Sequence, residues 1–126
     1  MKSPTRIYIV EDSAAIRTRL QELLARMGGV DVVGEAASAT EAIVDILALR
    51  PHSVLLDLNL GDRSGINVLR AIRPQAPQIQ FVVLTNHAEP QYRRACEQAG
   101  AAFFLDKTTE FNRVPEVIAT IASRLH

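Results

Sequence analysis

Apolar runs of strand length alternate along the whole chain with stripes of helical period, and few folds accept that alternation. The runs are Ile7 to Val10, Val30 to Ala36, Val54 to Leu56, Ile79 to Leu84 and Ala101 to Leu105. β-branched and aromatic residues dominate several of them, as strands prefer. Between them lie Ile16, Leu20, Leu23, Leu24 and Met27; then Ile43, Ile46 and Leu47; then Ile66, Leu69 and Ile72; then Tyr92, Ala95, Cys96 and Ala99. The last stripe, Val114, Val117, Ile118, Ile121 and Leu125, is the cleanest. Each follows helical spacing in whole or part. Strands alternating with helices predict an α/β fold, with a parallel sheet covered by helices on both faces.

The punctuation agrees. Gly28 and Gly100 follow the first and fourth stripes, where a left-handed cap residue is expected. Pro51 and Pro74 stop the second and third helices. Ser38 with Glu41 reads as a capping box, and Pro90 suits a first helical position. The first, third and fourth strands are apolar almost throughout, so they belong in the middle of the sheet. Asp31 and Glu35 place the second at an edge. A five-stranded, doubly wound sheet of order 2-1-3-4-5 satisfies both demands.

Composition removes other classes. A chain of 126 residues reads as a single domain, 1–126. Fourteen basic and fourteen acidic residues cancel, which argues against direct nucleic-acid binding and against a polybasic membrane-surface module. No apolar run approaches the length of a membrane span, and Glu11 and Asp12 interrupt the N-terminal segment too early for a secretory signal. The single Cys96 allows no internal disulfide and no thiolate-rich metal site. A cytoplasmic location is expected.

Ligands of such sheets bind at the carboxyl ends of the strands, where the strand order reverses. The residues there are Glu11 and Asp12 after the first strand, Asp57 after the third, Thr85 at the end of the fourth and Lys107 after the fifth. With the first and third strands adjacent, three carboxylates converge. Their repulsion demands a cation or a raised pKa. Oxygen donors without His or Cys favour a hard divalent ion, and an open cleft with few protein ligands favours Mg²⁺. A carboxylate flanked by Mg²⁺, an ammonium group and a hydroxyl suits formation of an aspartyl phosphate. Taken singly, Asp57 is an ordinary strand-end acid, the acid pair favours a helix N-terminus, Thr85 is a turn residue and Lys107 is surface decoration. Their joint arrival at four strand ends carries the functional reading.

Glu11-Asp12, the run Leu55 to Leu60, Gly65, Thr85 and Lys107 together resemble the receiver domain of bacterial two-component response regulators, over the whole chain. The resemblance implies that Asp57 accepts a phosphoryl group from a sensor histidine kinase or a histidine phosphotransfer protein. Asp12, Asp57 and the Asn59 backbone carbonyl would hold Mg²⁺, or Mn²⁺ in its place, with Glu11 acting mainly through water. Lys107 would pair with Asp57 or its phosphoryl oxygens, and Thr85 would move to donate to them. Phe104 would be the aromatic switch, turning inward after Thr85. Slow Mg²⁺-dependent self-dephosphorylation is implied as well. Ala14, Ala15 and Ile16 lie on the surface where the family docks its kinase. Arg93 and Arg94 on the fourth helix are either a solvated face or part of a homodimer or target surface with the fifth strand and fifth helix.

Three residues depart from the family pattern. Gly61 replaces a proline, Asn86 replaces a small residue after the threonine, and Thr108 replaces a proline after the lysine. They are expected to change the loop after Asp57 and access to the site. Cys96 reads as a buried inert thiol and His87 as solvated near the cleft mouth. A phosphatase would need a second acid and a cap, and a nucleotide-binding domain would need a glycine-rich loop where Glu11-Asp12-Ser13 stands. A pseudo-receiver, a phosphorylation-independent interaction module, is the surviving alternative. Both a complete single-domain regulator and the receiver part of a longer one fit the sequence.

Overall fold

The computed structural model describes residues 3–125, so Met1 and Lys2 of the N-terminal reading lie outside the described residues. The strands are β1 (Thr5–Val10), β2 (Val30–Ala36), β3 (Ser53–Leu56), β4 (Gln80–Thr85) and β5 (Phe103–Asp106). They form one parallel sheet in the order β2-β1-β3-β4-β5. The helices are α1 (Ala14–Ala25), α2 (Ala39–Leu49), α3 (Ile66–Ile72), α4 (Pro90–Gln98) and α5 (Val114–Leu125). This is the doubly wound architecture that the alternation of runs predicts.

Successive side chains of a strand point to opposite faces, so each central strand feeds two core layers. Tyr8, Val10, Val54, Leu56 and Phe81 pack against Ala42 and Ile46 of α2 and Val68, Leu69 and Ile72 of α3. Ile7, Ile9, Leu55, Val82, Leu84 and Leu105 pack against Leu20 and Leu24 of α1 and Val117, Ile118 and Ile121 of α5. A smaller cluster joins Leu58, Val83, Phe104 and Cys96 beneath α4. Burying one such side chain contributes about 1.5–3 kcal/mol. Asp31 and Glu35 of β2 are exposed, as an edge strand requires.

The local signals hold with two shifts. Ser38 Oγ accepts from the Glu41 N–H at 3.3 Å, and Pro90 opens α4. Gly100 takes the left-handed conformation, but after α1 that role falls to Gly29 (φ 75°) rather than Gly28, because the chain makes one more turn residue before β2. The fifth helical segment also starts early. A helical turn, Lys107–Glu110, and a 3₁₀ turn, Phe111–Arg113, lead from β5 into α5. Where the family pattern has proline, Thr108 carries an N–H, which donates to Asp106 Oδ1 at 2.9 Å and caps that turn.

Candidate functional site

The ends of β1, β3 and β5 deliver their polar residues to one place. The Glu11 N–H donates to Ala36 O, and the Asp57 N–H donates to Val10 O, each at 3.0 Å. These ladder bonds carry the sheet one residue further and fix both acids, although both are buried. Lys107 comes from the end of β5, with Nζ 2.6 Å from Glu11 Oε1 and 3.0 Å from Asp57 Oδ2. Carboxylate oxygens of Glu11, Asp12 and Asp57 lie within 4.8 Å of one another. Asp12 alone of the three is exposed.

Crowded acids need relief, and both remedies are present. The Lys107 ammonium bridges two of the carboxylates. Burial also pushes the Glu11 carboxyl above its ordinary range, against the opposing pull of Lys107 and the Ser13 N–H. Burial alone would lower the Lys107 pKa; the Glu11 hydrogen bond and the Asp57 charge outweigh it and raise it. A cavity of about 260 Å³ opens over these groups, walled by Glu11, Asp12, Asp57, Asn59, Asn86 and Lys107 among others.

The donor set fits a hard divalent cation. Neighbouring oxygens around an octahedral Mg²⁺ stand about 3 Å apart and opposite ones about 4 Å, a spacing close to that of this cluster, so Glu11, Asp12 and Asp57 could hold such an ion. Asn59, whose backbone carbonyl completes the expected set, lies on this rim. Its N–H donates to Asp57 Oδ1 at 3.3 Å, and its backbone pairs with Ser64.

The loop after Asp57 is held from both sides. A Cβ at Gly65 would overlap the Asp57 carbonyl oxygen, so only glycine lets α3 start this close to the acid. Gly61 has φ 77°, and the Asp62 N–H closes a tight turn onto Leu60 O at 2.8 Å. Proline, fixed near −65°, cannot adopt that conformation; the missing family proline thus marks a different turn. Asp62 Oδ1 then accepts from the Ala39 N–H at the start of α2 at 3.1 Å.

Thr85 is fully buried, and its hydroxyl accepts from the His87 N–H at 3.1 Å. The Phe104 ring lies inside, against Leu58, Val83 and Cys96. The resemblance implies an inward turn that follows movement of Thr85; here the ring is inside while Thr85 is held by His87. The Arg93 guanidinium sits 4.5 Å over that ring and donates to Phe104 O at 3.4 Å. Arg93 is therefore half-buried rather than part of a solvated face, whereas Arg94 is exposed. Ala14 and Ala15 are exposed, and Ile16 is half-buried on the cavity wall. His87 is exposed beside Tyr92, and burial pushes the Cys96 thiol up to about 11.

Three contributors escape the sequence reading. Arg17 donates to Glu11 O at 2.8 Å and to Asp12 O at 3.2 Å, tying down the acid pair. A helical side chain leans toward the helix N-terminus, so an arginine one turn into α1 was the available signal. Asp62 and the Asn86–Thr108 contact, at 3.3 Å, depend on tertiary placement and leave no local signal.

The family model described as the response regulator receiver domain matches residues 7–119. Response regulator GacA of Pseudomonas protegens is 30% identical over 116 residues, covering 92% of this chain and 54% of that protein. Response regulator protein VraR of Staphylococcus aureus is 28% identical, covering 90% and 54%. The chain thus spans about half the length of these curated relatives. The response regulator domain of Thermotoga maritima CheB superposes with a TM-score of 0.85 at 25% identity, covering 95% of both chains. The signal receiver domain of the response regulator NarL from Mycobacterium tuberculosis gives 0.84 at 28% identity, covering 96% and 98%. With the sheet order, the acid cluster and the lysine all in place, the chain belongs to the response regulator receiver domain family.

Proposed function

We propose that residues 1–126 form one receiver domain that takes a phosphoryl group on Asp57 from a histidine kinase or a histidine phosphotransfer protein. The observation that supports this most is Lys107 Nζ lying between Glu11 and Asp57 beside a third carboxylate. Glu11, Asp12, Asp57 and the Asn59 carbonyl would hold Mg²⁺, or Mn²⁺. When bound, the ion neutralises charge on the transferring phosphoryl oxygens.

A carboxylate oxygen of Asp57 attacks phosphorus. The P–N bond to the donor imidazole breaks, and its electron pair leaves on the imidazole nitrogen. Lys107 exchanges its contact with Asp57 for one with a phosphoryl oxygen. Thr85 then donates to another, leaving the His87 N–H. Phe104, already inside, changes its packing under Arg93, and the surface of α4, β5 and α5 changes with it. That surface would meet a target or a second copy. Ala14, Ala15 and Ile16, beside the acid pair, would receive the phosphodonor protein. Attack of water on the phosphorus of the aspartyl phosphate would release inorganic phosphate slowly. The reading places the domain in the cytoplasm; no described helix is long and apolar enough to cross a membrane.

Intact mass after incubation with Mg²⁺ and phosphoramidate tests the reading. One phosphoryl group is expected on the wild type, and none on Asp57→Asn or in chelator. No adduct on the wild type, with or without a kinase, would favour a phosphorylation-independent interaction module.

A further inference from the structure

Two of the positions that depart from the family pattern touch each other. Asn86 follows Thr85, Thr108 follows Lys107, and Thr108 Oγ1 donates to Asn86 Oδ1 at 3.3 Å. Asn86 is also a wall of the cavity that contains Asp57, Asp12 and Lys107. A carboxamide has two ends. With its oxygen turned to Thr108, its NH₂ group is left for the cavity. Electrostatics favours the same orientation, because the partial positive end of the amide then faces a pocket of three carboxylates.

We propose that Asn86 is a phosphoryl-binding residue, its Nδ2 donating to an oxygen of the group carried on Asp57, and that Thr108 is the positioning residue that aims it. This rests on the phosphoacceptor reading of Asp57. It also reverses the simpler expectation for a large residue at this place, which is that it obstructs the site. An alanine or glycine after Thr85 would offer no side-chain donor. Here the amide adds one beside those of Thr85 and Lys107. The role of Thr108 is separable, since it stands outside the cavity wall and acts through its hydroxyl.

Beryllium fluoride, a phosphoryl mimic, provides the test. Its affinity in saturating Mg²⁺ is measured by titration for wild type, Asn86→Ala, Asn86→Asp, Thr108→Val and Thr108→Ser. The rate of phosphorylation by phosphoramidate is followed in parallel. Asn86→Ala should weaken beryllium fluoride binding about tenfold, as loss of a hydrogen bond to a charged group implies. Asn86→Asp should weaken it further, because a carboxylate repels the anion. Thr108→Val should give a smaller loss that Thr108→Ser restores, which a merely structural role of the methyl-bearing side chain would not produce. Equal or tighter binding by Asn86→Ala, with faster phosphorylation, would overturn the proposal and make Asn86 an obstruction. A wild type that neither binds beryllium fluoride nor accepts a phosphoryl group would overturn the phosphoacceptor reading itself, and this inference with it.

Discussion

From Ile7 to Val10 the first strand is buried and apolar; one residue later Glu11 is just as buried and carries a carboxyl group. The third strand repeats the pattern, with Leu56 followed by Asp57. The sheet interior is thus held by packing in which each contact supports its neighbours. The carboxyl edge of the same strands is held by backbone bonds and one lysine against its own repulsion. The rigid interior is what forces the acids together. The two regions should therefore answer differently to mutation and to metal.

The largest effect is expected in the interior. Phe81→Ala should cost about 3–5 kcal/mol of stability, read by chemical denaturation, with no dependence on Mg²⁺ in the size of the loss. At the edge, Lys107→Met strips two buried carboxylates of their cation. Removing one partner of a buried pair costs about 3–5 kcal/mol, and uptake of a proton by Glu11 should hold the loss to about 3 kcal/mol or less. Unlike the core loss, much of this one should be recovered when Mg²⁺ is added. Gly65→Ala sits on the boundary between the regions. Its methyl group must displace the Asp57 carbonyl, so a loss of about 1–3 kcal/mol is expected, with weaker Mg²⁺ binding in a calorimetric titration. A Gly65→Ala protein with wild-type Mg²⁺ affinity would show that the acid does not depend on this close approach.

The smallest effect concerns Asp62. Backbone N–H groups, that of Ala39 first, hold its carboxyl below its ordinary value of 3.8. A carboxylate with a depressed native pKa contributes stability above its unfolded value, lost as pH falls through the native one. Asp62→Ala should therefore lower stability slightly and evenly above pH 3.8 and flatten the acid limb below it, where the two proteins converge.

The interior was legible in the sequence because its signals are periodic. Val10 and Leu56 face one layer, Ile9 and Leu55 the other, and strand order followed from which runs lacked charge. The chemical residues were legible for a related reason, since a strand end is the only place a doubly wound sheet offers for Glu11, Asp12, Asp57, Thr85 and Lys107. What escaped depends on where loops meet. The left-handed position fell on Gly29 instead of Gly28, a choice set by how α1 joins β2. The helical turn at Lys107 is capped by Asp106 through the Thr108 N–H, a bond that a proline there could not make. Arg93 over Phe104 and Thr108 on Asn86 are contacts between segments that no periodicity connects.

Crowding three carboxylates at the strand ends costs stability that a bound cation would restore. Thermal denaturation of wild type and Asp57→Asn, each in chelator and in saturating Mg²⁺, tests this most directly. Asp57→Asn should melt higher than wild type in chelator, because one of the crowded charges is gone, and Mg²⁺ should raise the wild type more than the mutant. Equal Mg²⁺ effects on the two proteins, or a lower melting temperature for Asp57→Asn in chelator, would contradict a shared metal site built on mutual repulsion.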